Sequence, residues 1–118
     1  MKTVERGELA EKLACEYLTS HGLVLVTSNY HSRYGEIDLI MRDGKVLVFV
    51  EVRYRRHQSF GGAASSVTPA KQRKITLTAL QFLQRNKQTS SVCRFDVLAL
   101  NEVKTQWIKG AFDAALDA

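Results

Sequence analysis

The stretch "GEIDLIMRDGKVLVFVEVRYR", residues 35–55, constrains the fold more than any other part of the chain. Two apolar runs flank Asp43-Gly44, and Asp-Gly in that setting is a strong short-range hairpin signal. A two-residue turn there pairs Arg42 with Lys45, Met41 with Val46, Ile40 with Leu47, Asp38 with Phe49 and Glu36 with Glu51. Side chains alternate along a strand, and directly opposed residues share a face. One face then carries Ile37, Leu39, Met41, Val46, Val48, Val50 and Val52, and has to be core. The other carries Glu36, Asp38, Ile40, Leu47, Phe49, Glu51 and Arg53.

The second face sets three carboxylates among apolar side chains. Like charges opposed across a sheet destabilise it, and partly buried carboxylates without partners cost free energy or take up protons. In this register Asp38 and Glu51 are diagonal neighbours, with backbones roughly 7–8 Å apart, so both side chains can reach one ion. A divalent cation resolves the conflict. Oxygen donors suit Mg2+ or Mn2+, and Mg2+ keeps several waters, so few protein ligands suffice. Such an ion can activate water and stabilise charge on a phosphoryl oxygen. Arg53, on the same face, can hold phosphate or developing negative charge, and Glu36 is a further candidate ligand. The plainer alternative is a solvated face with a Glu51–Arg53 surface ion pair. Ile40, Leu47 and Phe49 argue that the face is covered. All of this depends on register, because a slip of one residue moves every side chain to the other face.

The rest of the chain supplies a frame for this hairpin. Residues 5–21 have a helical pattern, with Leu9, Ala10, Leu13, Ala14, Tyr17 and Leu18 as the apolar stripe and Gly22 as the C-cap. Residues 23–29 are a short β-branched strand, followed by the polar loop "YHSRYG". Residues 55–67 form a glycine- and serine-rich loop. A second helix starts with Thr68 as N-cap and Pro69 in its first turn, presents Ile75, Ala79, Phe82 and Leu83, and ends near Asn86. "CRFDVLALN" and "KTQWIKG" are two further strands. The order α-β-β-β-α-β-β predicts an α/β or α+β domain built on one mixed sheet with helices packed against it. At 118 residues the chain suits a single domain over residues 1–118.

Composition sets the outer limits. With 45% apolar and 25% charged residues, the chain is neither disordered nor fibrous in type. Its first residues are charged and lack a signal-peptide pattern, and its apolar runs fall far short of the ~20 residues that span a bilayer. A cytoplasmic location is expected. Cys15 and Cys93 have no metal-ligand spacing, so two buried, reduced thiols are expected. The net charge of +5 favours a polyanionic partner, nucleic acid first. Arg55 and Arg56 precede the glycine-rich loop, and Lys71 and Lys74 follow it, a bracket of cations suited to backbone phosphates. Asp96 is expected to make a structural salt bridge or turn contact.

The segments "GELAEKLACEYL", "GEIDLIMRDG", "VFVEVRYR", "FGGAASSVTPAKQRKI" and "RFDVLAL" resemble, in this order, the YraN family of small bacterial proteins. That family is in turn similar to restriction-endonuclease-like nucleases and archaeal Holliday junction resolvases. Their shared site is an acid on one strand and acid–x–Lys on the next. Asp38 matches the first acid and Glu51 the second, while Arg53 stands where the lysine is expected. Arginine stays protonated and cannot act as a base, although it can stabilise charge. The resemblance implies a restriction-endonuclease-like fold and a Mg2+- or Mn2+-dependent endonuclease acting on DNA, branched DNA included. Its alternative is a catalytically degenerate nucleic-acid-binding module. The resemblance also implies a further acidic ligand at Glu8, which helical spacing places on the solvent side, and a homodimer by analogy. Lys71, bordering the second helix's apolar stripe, is a candidate for the missing lysine's role.

Overall fold

The computed structural model of the chain describes residues 3–55 and 62–114. Its elements are α1 (Thr3–Ser20), β1 (Val24–Ser32), β2 (Gly35–Asp43), β3 (Val46–Tyr54), α2 (Pro69–Arg85), β4 (Cys93–Leu100) and β5 (Thr105–Phe112). The order α-β-β-β-α-β-β is the one expected. The strands lie in one sheet in the order β1-β2-β3-β4-β5. Neighbours are antiparallel except β3 and β4, which are parallel. A parallel pair needs a long crossover, and α2 supplies it. No helix among the described residues is long and apolar enough to cross a membrane.

The helices cover opposite faces of the sheet. Ala10, Ala14 and Leu18 of α1 pack on Leu39, Met41, Val48, Val50 and Leu98. Ile75, Ala79, Phe82 and Leu83 of α2 pack on Ile37, Ile40, Leu47 and Phe49. The α2 stripe is the expected one. The α1 stripe is narrower than expected, because Leu9 and Leu13 are each 42% exposed. Its buried line is Ala-Ala-Leu at four-residue steps, and small residues let the helix lie close to the sheet. Cys15 and Cys93 are free and half-buried. Burial pushes both thiols up, so neither is a reactive thiolate.

Thr68 caps α2 with an extended backbone, its Oγ1 accepting the Lys71 N–H at 3.2 Å, and Pro69 occupies the first turn. This cap also fixes where Lys71 leaves the helix. Thr68→Ala is expected to cost about 1 kcal/mol, read as a lower midpoint in a urea melt with unchanged slope.

Two local readings need correction. "YHSRYG" is not a loop: Tyr30 to Ser32 belong to β1, and Ser32 pairs with Gly35 across a turn of only Arg33 and Tyr34. The strand is a half-exposed edge, so its polar residues hid it. The β2–β3 turn sits one residue further along than expected. Asp43 pairs with Val46, and Gly44 takes the first central position with φ +61°, where a type II′ turn favours glycine. Every cross-strand partner therefore moves by two residues, to Ile40↔Phe49 and Leu39↔Val50. An even shift keeps the faces of the hairpin but changes who meets whom. One more step in this register puts Asp38 opposite Glu51 instead of Phe49.

Candidate active site

The ladder between β2 and β3 runs no further than Leu39↔Val50. Beyond it the pleat of β2 breaks. Ile37 packs on the α2 side and Leu39 on the α1 side, although they are two residues apart. Ile37 was expected on the face of Leu39 and Met41; the break at Asp38 turns it over. On β1, the residue across from Asp38 is Asn29, held at φ +52° between the pairs Ser28↔Leu39 and Tyr30↔Ile37. Asparagine tolerates this left-handed backbone better than most residues. The Val52 N–H donates to Asp38 Oδ2 at 2.8 Å. A carboxylate thus takes up a backbone donor where the ladder has ended.

Glu11, Asp38, Glu51 and Lys71 form a line across this end of the sheet, with Arg53 beside Glu51. Glu11 of α1 neighbours Asn29 and Asp38. Asp38 feels the charge of Glu51. Glu51 is buried, and its Oε2 lies 2.8 Å from Lys71 Nζ of α2. Arg53 Nη2 is 3.6 Å from the same oxygen and 3.4 Å from the Ser66 carbonyl, which accepts its hydrogen bond. Arg53 Nε is buried with no hydrogen-bond partner. Two hollows flank the line. One of about 330 Å³ is lined by Glu8, Glu11, Ser28, Asn29 and Leu39. The other, about 310 Å³, is lined by Gly35, Glu36, Thr68, Lys71 and Lys74.

Burial, then repulsion from Glu51, pushes the Asp38 carboxyl up from 3.8 to about 8. Glu11 is also raised, by burial first, against the hydrogen bond from Asn29 that lowers it. Asp38 therefore holds a proton to higher pH than an ordinary carboxyl. Because the folded value lies above the unfolded one, folding takes up a proton here. The associated stability is fully present below pH 3.8 and is lost as pH rises through about 8. Metal-free protein is therefore expected to lose on the order of a few kcal/mol from this group over that window. Thermal melts of wild type against Asp38→Asn across the same pH range check it, since the asparagine removes this contribution.

The donor chemistry fits a hard divalent cation. Asp38 and Glu51 offer neighbouring carboxylates whose repulsion a cation can relieve. Among the described residues, no group of three or more His, Cys, Asp or Glu side chains is arranged as a metal site. An ion held here therefore relies on water for much of its shell, as Mg2+ commonly does.

The other candidate residues fall as follows. Glu36 is exposed at the rim, 3.2 Å from His31 Nδ1, and does not join the Asp38–Glu51 pair. Glu8 is exposed and lines the outer hollow. The α1 acid that reaches Asp38 is Glu11, which the sequence reading missed. Its signal was the Ala10–Ala14 line: once that line is core, Glu11 stands on its border. Lys74 is exposed beside Lys71, and the Arg55 N–H is bonded to the Leu100 carbonyl at 2.9 Å. Arg56 lies outside the described residues.

Comparison with known proteins places the chain among relatives. A model of the uncharacterised protein family UPF0102 matches residues 10–100. A UPF0102 protein of Alkalilimnicola ehrlichii is 51% identical over 112 residues, covering 94% of this chain and 89% of its own. One of Cupriavidus pinatubonensis is 52% identical over 113 residues, with 94% and 87% covered. One of Aeromonas hydrophila is 50% identical over 109 residues, with 91% and 84% covered.

Proposed function

The chain belongs to the uncharacterised protein family UPF0102, the YraN family, and we propose that it is a metal-dependent endonuclease hydrolysing phosphodiester bonds in DNA, including branched DNA. The observation that carries this reading is Asp38, bonded to the Val52 N–H where the β2–β3 ladder ends, with its carboxyl raised by the neighbouring charge of the buried Glu51. The repulsion between these neighbouring carboxyl groups is what a cation relieves. An acid on β2 followed by acid–x–Arg on β3, within a mixed sheet, supports a restriction-endonuclease-like assignment. A homodimer, by analogy with resolvases, belongs to the same proposal.

Mg2+ or Mn2+ bound by Asp38 and Glu51 would supply Lewis acidity and an activated water at neutral pH. The chain's own side chains do the rest. Asp38 would hold the ion as a carboxylate, and Glu11 neighbours it as a further acid. Arg53 adds fixed positive charge beside Glu51. Arg55, Arg56 and Lys74 bind flanking phosphates without reading sequence. In the hydrolysis the water oxygen joins phosphorus and one P–O ester bond breaks. The proton lost by the water goes to solvent, and solvent protonates the leaving oxygen.

A second reading, a non-catalytic nucleic-acid-binding module, is favoured by Arg53 at the position where the resemblance expects lysine. One assay separates the two. Linear duplex, single-stranded, flapped and four-way-junction DNA are incubated with Mg2+, Mn2+ or chelator. A nuclease cuts at least one of them with a divalent ion and none with chelator. Binding that weakens steeply with salt, with no cut in any metal, overturns the nuclease in favour of the module.

A further inference from the structure

We propose that Lys71 is the catalytic ammonium of this site, holding the attacking water and a phosphoryl oxygen beside Glu51. The inference rests on the nuclease reading and deepens it. Two cations share Glu51 Oε2, and they are not equivalent. Lys71 Nζ is the nearer, at 2.8 Å against 3.6 Å for Arg53 Nη2. Arg53 comes along the strand and is tied back to the Ser66 carbonyl, so its position is set by the protein. Lys71 comes from the opposite layer. Its side chain is 42% exposed and lines the hollow beside Gly35, Glu36, Thr68 and Lys74, open to a ligand.

Donor count favours the same residue. An ammonium has three donors on a rotatable stem. One is spent on Glu51, leaving two for a water and a phosphoryl oxygen. The charge then lies where negative charge develops as the new P–O bond forms, which is where a fixed donor accelerates the step. The helix start is fixed by the Thr68 cap on the Lys71 N–H, so the stem leaves from a defined point. Lys71 does not need to titrate for this role. The proton lost by the attacking water goes to solvent, as in the reaction above.

The test compares wild type, Lys71→Ala, Lys71→Arg and the double variant Arg53→Lys/Lys71→Ala. Single-turnover cleavage is measured beside two readouts independent of turnover: the Mg2+-induced rise in Tm, and affinity for an uncleaved DNA in chelator. Lys71→Ala is expected to cleave about 100-fold more slowly or worse. It keeps the Mg2+-induced Tm rise, and its DNA affinity stays within about threefold, since one phosphate contact is lost at most. Lys71→Arg falls between the two. Adding Arg53→Lys recovers about tenfold or more, because the new ammonium enters beside the same Glu51 oxygen. Cleavage by Lys71→Ala within about threefold of wild type overturns this inference and leaves the nuclease standing. So does a rate loss fully matched by lost DNA affinity or a collapsed Tm, which marks a binding or structural lysine. A wild type that cuts nothing overturns the nuclease reading and this inference with it.

Discussion

Asp38→Asn is expected to lower metal-dependent cleavage by at least about a thousandfold, the scale of several kcal/mol of lost charge stabilisation. The same variant is expected to melt higher than wild type at pH 8 and above, in the absence of metal. Both effects have one cause. Asp38 is held close to Glu51 and Glu11, and burial with that repulsion raises its carboxyl to about 8. Above that pH wild type folds with adjoining negative charges that have no cation between them. Asparagine keeps an oxygen for the Val52 N–H and brings an amide that can donate to Glu51. It therefore relieves the repulsion while removing an anionic ligand. DNA affinity in chelator should change little, because the proposed phosphate contacts are those of cations. Undiminished cleavage in Asp38→Asn would refute the site.

Asp96→Ala is expected to be the most damaging substitution outside the site, costing about 3–5 kcal/mol and lowering Tm by roughly 10–20 °C. Asp96 is fully buried on β4. Its Oδ1 accepts from Arg94 Nε and the Gly110 N–H, and its Oδ2 from Arg94 Nη2 and Trp107 Nε1, all at 2.9–3.0 Å. Four donors from two strands converge on one carboxylate. It pins β5 to β4 where their register slips between Phe95 and Val97. Truncation leaves a guanidinium, an indole N–H and a backbone N–H without their partner, and the cost lies in those orphaned donors. The Arg94 Nη1–Asp43 contact of 3.2 Å ties the same network to the end of β2. Asp43 is more exposed, so Asp43→Ala should cost about 1 kcal/mol or less. A Tm loss for Asp96→Ala of only a degree or two would show that solvent takes the carboxylate's place.

Much of this was legible in the residues. The element order followed from period-2 and period-3.6 patterns, the Asp-Gly turn and the Thr68-Pro69 start. Asp38 and Glu51 stood out because carboxylates interrupt strands that are otherwise apolar. What failed was local. Asp43-Gly44 signals a hairpin without fixing which residue takes the positive φ, and Gly44 settled it by entering the turn first. The break in the pleat at Asp38 left no mark in the pattern, because Ile37 is apolar and fits either face. It lies across the ladder from Asn29, in a strand too polar and exposed to be traced to its end. Glu11 was passed over because Leu9 and Leu13 looked like core. Only packing shows that the alanines face the sheet, and with them the carboxylate on their border. The Lys71–Glu51 contact joins residues twenty positions apart across two layers, and helical spacing alone could bring Lys71 no nearer than the sheet's side.

The measurement that bears most directly on the site is single-turnover cleavage of an end-labelled four-way junction and its matching linear duplex, with Mg2+ and with chelator, by wild type and Asp38→Asn side by side. A metal site at Asp38 and Glu51 predicts Mg2+-dependent products from wild type on at least one substrate and none from the variant, with both proteins folded and both shifting the DNA in a gel. Equal cleavage by the two proteins, or binding without products from wild type, would contradict it.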